Sequence, residues 1–153
     1  HILYGVPAIY SVTKMGKKLA GIEPSNSKLK IEQIGHDITV LDTAIYLHKG
    51  IGILFEDITT EKELHSQDGF GIRKHRPDFI YGKDNETICV EIELSRKAKS
   101  RFEEIIKTNF MKYDRQIWIV PDSKCKIANI LKANKAKYPN IEIKEIKEIE
   151  GHD

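Results

Sequence analysis

The chemistry-bearing residues of this chain crowd into one stretch, from Arg76-Pro77-Asp78 to Val90-Glu91-Ile92-Glu93-Leu94-Ser95-Arg96-Lys97. An aspartate follows a proline, and two glutamates flank a single apolar residue. Side chains of a strand alternate between faces, so Ile88, Val90, Ile92 and Leu94 point one way and Cys89, Glu91 and Glu93 the other. Three carboxylates on neighbouring strands repel one another unless a positive charge stands among them. A hard divalent cation such as Mg²⁺ or Mn²⁺, held by Asp78, Glu91 and Glu93, is the simplest such charge.

These residues need a scaffold, and the pattern around them is that of an α/β protein. A helix is expected over 31–49, on the roughly helical spacing of Ile34, Ile38, Leu41, Ile45 and Leu47 or His48, with Gly50 as its stop. A short strand follows from Ile51 to Phe55, then a polar stretch to Phe70 with some helix. Pro77 to Tyr81 and Thr87 to Leu94 form a hairpin around the turn Gly82-Lys83-Asp84-Asn85. Ser95 caps a helix whose apolar stripe is Phe102, Ile105, Ile106 and Phe110, ending near Tyr113. Gln116 to Val120 reads as a strand buried on both faces, with Trp118 in the core. Ser123 caps a helix carrying Ile127, Ile130 and Leu131. A last strand opens at Ile141 and loses its alternation toward Ile146 and Ile149.

Composition narrows the class. The chain has 153 residues, 40% hydrophobic and 31% charged, enough for one domain with a core. No apolar run approaches the ~18 residues of a membrane span, and a cytoplasmic location is expected. Cys89 and Cys125 form no Cys-x-x-Cys, which argues against zinc and against a disulfide framework. The chain starts in mid-pattern at His1-Ile2-Leu3-Tyr4, which reads as a piece of a longer protein. Its net charge of +2 conceals a division: +4 over residues 1–30, −7 over 31–94 and +5 over 95–153. Basic flanks around an acidic middle suit a metal site framed by phosphate-binding surface, although lysine-rich helices are often plain solvated faces.

A Pro-Asp, a gap, and an acidic-x-third-residue strand running into a helix resembles the PD-(D/E)XK nuclease superfamily. The expected element order matches that superfamily's αβββαβ restriction-endonuclease-like core and its mixed central sheet. Glu93 stands where the superfamily's lysine is usual, and Lys97 is placed to supply the missing ammonium. Tyr10-x-x-Thr13-x-x-Gly16 is similar to the wing strand and last helix start of a winged helix-turn-helix, with Thr13 as N-cap. Together with His36-Asp37, these features resemble the replication-relaxation family and the MobC-type plasmid mobilization relaxases over residues 4–121. The resemblance implies a winged-helix remnant over 1–20, a linker over 21–30 and a nuclease-like domain over 31–153. It implies a Mg²⁺- or Mn²⁺-dependent nickase, with Asp78, Glu91, Glu93, Lys97 and His36 as catalytic residues. Its partners would be double-stranded or nicked plasmid DNA and other mobilization or replication proteins. In that superfamily an acid from the first helix region often completes the site, here Asp37, Asp42 or Glu56.

Each residue also has a plainer reading. Asp78 suits a solvated strand end, and Glu91 and Glu93 suit the wet face of a hairpin. His36 is a general base, a metal ligand or a capping residue. Lys14, Lys17, Lys18, Arg96, Lys99 and Arg101 are the candidate DNA contacts, against ordinary surface charge. Tyr113 packs the end of its helix or, as in tyrosine relaxases, acts as a nucleophile. Three functions are therefore in play: a metal-dependent endonuclease, a non-catalytic DNA-binding factor on the same fold, and a scaffold whose acidic face binds a basic protein.

Overall fold

A computed structural model of the chain describes residues 12–21, 31–68, 74–95 and 98–150. The chain divides into two compact units, His1–Ile31 and Glu32–Asp153.

Within the first unit the described part is a single short helix, α1 (Lys14–Leu19). Thr13 caps it as expected, its Oγ1 accepting from the Gly16 N–H at 3.1 Å. Residues 1–11 and 22–30, which carry the rest of the expected winged-helix remnant and linker, lie outside the described residues.

The second unit is α/β. Its elements run α2 (Ile31–Ile51), a 3-10 turn at Phe55–Asp57, β1 (Thr59–Thr60), α3 (Glu61–Ser66), β2 (Phe79–Lys83) and β3 (Glu86–Ile92). They continue with α4 (Lys99–Lys112), β4 (Arg115–Val120), α5 (Lys126–Asn134), β5 (Ile141–Glu145) and α6 (Ile146–Glu150). The five strands form one mixed sheet in the order β1-β2-β3-β4-β5. β1, β2 and β3 are an antiparallel meander, and β4 and β5 add in parallel through the crossover helices α4 and α5.

The hairpin follows from its turn. Lys83 pairs with Glu86, so the loop is two residues, Asp84 and Asn85, both at positive φ (53° and 66°). Asp and Asn tolerate that region, and two such residues match the twist of the flanking strands. β3 is central, and its pleat divides the core into two layers. Ile88, Val90 and Ile92 face a cluster with Leu47, Ile53, Phe79, Ile117 and Ile149, on the side of α2 and α6. The opposite face packs Trp118 and Val120 against Phe102, Ile105 and Ile106 of α4 and Ala128 and Leu131 of α5. Trp118 is fully buried, as expected, and tilts against Phe102 at 5.0 Å between ring centres.

Several local expectations are corrected. α2 begins at Ile31, as its spacing predicts, but runs past Gly50 to Ile51. Its stop is Gly52, at φ 73°, whose N–H reaches the His48 carbonyl at 3.0 Å. Its buried side carries Thr43, Ala44 and Leu47, with Val40 packed against the core, whereas Ile38 and Leu41 are exposed. Two small or polar residues hide that stripe from a hydrophobic count. Thr43 is tolerated there because its hydroxyl donates to the Thr39 carbonyl at 2.6 Å. Ile51 to Phe55 is not a strand: the His48 ring takes the Ile53 carbonyl at 2.6 Å and stacks on Phe55, folding this stretch back on the helix end. α4 starts at Lys99 with Ala98 as N-cap, not Ser95. α5 is capped by Cys125 rather than Ser123, the Sγ accepting from the Ala128 N–H. The strand from Ile141 stops at Glu145 because Glu148 caps the next turn through the Glu145 N–H at 2.8 Å.

Candidate functional site

The site is built where β2 begins and β3 runs on past it. The strand pair ends at Phe79–Val90, and the Asp78 N–H still reaches the Val90 carbonyl at 3.1 Å. Beyond that point β3 has no strand on its β2 side, and the Ile92 N–H needs an acceptor. Asp78 supplies it: Oδ2 accepts from the Ile92 N–H at 2.7 Å. Pro77 has no N–H to compete. On its other side β3 stays paired with β4, with the Glu93 N–H on the Ile119 carbonyl at 2.9 Å.

Oδ1 of Asp78 faces His36 of α2, 3.2 Å from Nε2. The hydrogen bond to Asp78, aided by the charges of Asp78 and Asp37, outweighs burial and raises the imidazole to about 9. His36 is therefore a cation at neutral pH. Asp37 is the one of the three first-helix candidates that stands beside it, 3.7 Å from Nδ1. Asp42 lies further along α2 and Glu56 in the 3-10 turn, and neither hydrogen-bonds to Asp78 or Glu91 among the described residues.

Glu91 lies on the other face of β3, one step beyond Val90 and beside Asp78. It is 4% exposed and Glu93 is 2% exposed. Neither is on a wet hairpin face, because β3 is central and α4 covers it. Two donors converge on one oxygen of Glu91. His75 Nε2 lies 2.6 Å from Oε1, and Asn109 Nδ2 donates to the same atom at 2.8 Å. Burial pushes the Glu91 carboxyl up and the Asp78 charge adds to that, while His75 and Asn109 pull it down.

Further charges surround this pair. Arg76 binds Asp68, and Asp68 also meets His65 at 3.1 Å. Tyr113 lies near the Arg76 guanidinium and, after Asp68, contributes to holding its pKa up. Burial, with the nearby Cys89 and Glu91, raises the Tyr113 phenol, and Arg76 opposes that rise. Tyr113 is the C-cap of α4 and its carbonyl accepts from Asn140 at 3.1 Å, so its packing role is visible. Sequence reasoning missed His75, Asn109 and the Asp68–Arg76 pair. The available signal was weak: His75 stands three residues before Asp78, and Asn109 occupies an otherwise apolar helix stripe that the spacing assigns to Phe110.

Arg96 and Lys97 lie outside the described residues. Lys99 is exposed at the start of α4, 3.8 Å from Glu103, and Arg101 is exposed in the same turn. A cavity between the first turns of α4 and α5 is lined by Lys99, Phe102, Lys126, Ile127, Asn129 and Ile130. Both helices start from the carboxyl ends of parallel strands, the edge of the sheet at which Glu91 lies. Lys14, Lys17 and Lys18 sit on α1, in the first unit.

Among the described residues no group of three or more His, Cys, Asp or Glu side chains is disposed to hold a metal ion. The donor chemistry suits one in part. Magnesium takes one or two carboxylates and completes its shell with water and substrate phosphate. Asp78 and Glu91 are hard oxygen donors on neighbouring strands, near enough for the Asp78 charge to act on Glu91. Oε2 of Glu91 accepts no hydrogen bond among the described residues. Among the described residues no helix is long and apolar enough to cross a membrane. Comparison of the chain with models of protein families, with curated proteins and with solved structures finds no match in any of the three.

Proposed function

We propose that this chain is a nuclease-like domain of the PD-(D/E)XK kind, a Mg²⁺- or Mn²⁺-dependent DNA endonuclease that nicks plasmid DNA in mobilization or replication. The observation that carries the reading is the placement of Asp78 at the start of β2 beside the buried Glu91 of central β3, in a meander that continues in parallel through α4. The α2-β1-α3-β2-β3-α4-β4 order, an αβββαβ succession with the short helix α3 inserted after the first strand, and the mixed sheet support a restriction-endonuclease-like core. A divalent cation at Asp78 and Glu91 would activate a water and offset the charge developing on the phosphorus. The chain's own residues do the rest. Asp78 and Glu91 would supply the carboxylate oxygens. His36 holds a proton at Nε2 against Asp78 and places positive charge there. Lys99 and Lys126, which line the cavity between α4 and α5, and the exposed Arg101 would supply phosphate contacts.

A second reading rests on the His36–Asp78 contact. Both oxygens of Asp78 are already engaged, one by a backbone N–H and one by a cationic imidazole. With Glu93 in place of the superfamily's lysine, this favours a DNA-binding replication or mobilization factor that keeps the fold without cleavage.

Supercoiled plasmid carrying a cognate transfer origin separates the two. The first reading expects nicking with Mg²⁺ or Mn²⁺ that Glu91→Ala abolishes while DNA binding persists. Salt-sensitive binding with no nicking in either metal would leave the second reading standing. Glu93→Lys sharpens the comparison: retained cleavage makes position 93 equivalent to the superfamily's lysine, and a dead variant makes Glu93 an essential carboxylate.

A further inference from the structure

We propose that His75 and Asn109 are positioning residues for Glu91, fixing which of its two oxygens is offered to a divalent cation. This rests on the metal-dependent reading above and deepens it. The two donors come from separate parts of the fold, His75 from the segment leading into β2 and Asn109 from α4, and both end on Oε1. A carboxylate held at one oxygen from two directions loses its freedom to rotate. The other oxygen, Oε2, keeps its lone pairs free of hydrogen bonds among the described residues.

The burial of the two donors fits this role. Asn109 is 1% exposed in the stripe of α4 that otherwise packs Phe102, Ile105 and Ile106. A polar amide in that stripe is costly unless it is bonded, and the bond it makes is to Glu91. His75 closes the other side, with a quarter of its side chain still open to solvent. Partners that orient a metal-binding carboxylate in this manner set affinity as well as rate, and their loss costs about 10- to 100-fold.

The experiment measures Mn²⁺ binding to the full chain by electron paramagnetic resonance, beside the steady-state kinetics of plasmid nicking. His75→Ala is the main variant, because a partly exposed side chain can be removed without opening the core. Its Mn²⁺ affinity should fall by about 10-fold or more, and kcat should fall while KM for DNA stays unchanged. His75→Gln, which keeps an N–H donor, should recover most of both. His75→Ala binding Mn²⁺ like the wild type would overturn the proposal while leaving the nuclease reading intact. So would a His75→Gln variant as impaired as His75→Ala, since that marks packing rather than orientation. A wild-type chain that binds no Mn²⁺ would overturn the metal reading itself, and this proposal with it.

Discussion

Asp78, His36, Glu91 and His75 make two carboxylate–imidazole contacts on one strand end, and the His36 contact has a pH signature. Its imidazole is raised from 6.5 to about 9 by Asp78. A group whose pKa is higher folded than unfolded stabilises the fold fully below the unfolded value and loses that contribution as pH rises through the folded one. With chelator present, stability should therefore decline between about pH 6.5 and pH 9. The full shift overstates the effect, because a third of the ring faces water. A contribution on the order of 1–2 kcal/mol is expected after that discount. Urea midpoints at about pH 6 and pH 9.5, on either side of that window, should separate in the wild type and converge in His36→Gln; equal pH dependence in both would remove the ion pair. At this scale the sequence was partly legible. Although capping was an equally open reading of it, His36 was selectable through the His36-Asp37 pair that the family resemblance includes. His75 and Asn109 were not, because their partner lies 16 and 18 residues away and only the folded sheet and α4 bring them to it.

Glycine has opposite consequences in two places on α2. Gly35 lies inside the helix, and a Cβ added there would meet nothing within 4 Å, so Gly35→Ala should stabilise by about 0.5–1 kcal/mol through helix propensity. Gly52 has equal space around it but sits at φ 73°, where an L side chain strains the backbone. Gly52→Ala should destabilise by about 1–2 kcal/mol. Thermal melts of the two single variants should move in opposite directions, and a shared direction would mean that the helix end is misplaced. The elements themselves divide the same way between legible and hidden. The hairpin was readable because Asp84-Asn85 is a local turn signal. The first strand was not: it is only Thr59–Thr60, held by pairing to β2 rather than by its own pattern. The buried side of α2 was obscured by Thr43, which is polar, and by Ala44, which is too small to stand out in a helical periodicity.

Across the whole molecule, charge decides what a nucleic acid would meet. Part of the acidic middle is taken up inside the second unit, in the pairs Asp68–Arg76 and Asp78–His36 and in the buried Glu91 and Glu93, while Asp37, Glu56, Asp57, Glu61, Glu63, Asp84 and Glu86 stay exposed. Lys99 and Lys126 face solvent at the starts of α4 and α5. If Lys99 and Lys126 contact phosphates beside the cavity between α4 and α5, each should contribute about one unit to the slope of log affinity against log salt. Lys99→Ala with Lys126→Ala should flatten that slope by about two units and weaken binding to all sequences alike. An unchanged slope would place the DNA elsewhere. The α/β class and the central position of the acidic strand were legible at this scale because crossover helices and a doubly buried strand leave strong patterns.

The carboxylate of Asp78 completes the backbone pairing of Ile92, so on the metal-dependent reading this position would serve structure and chemistry at once. Removing the side chain leaves a main-chain donor stranded at the centre of the sheet, and a dead variant made that way says nothing about chemistry. An amide keeps an acceptor for the Ile92 N–H while losing the charge. Asp78→Asn is thus the informative lesion, and Asp78→Ala the ambiguous one. A lineage that abandoned cleavage would still be under pressure to keep an acceptor here, so the Pro-Asp signature can outlive the reaction it is taken to announce.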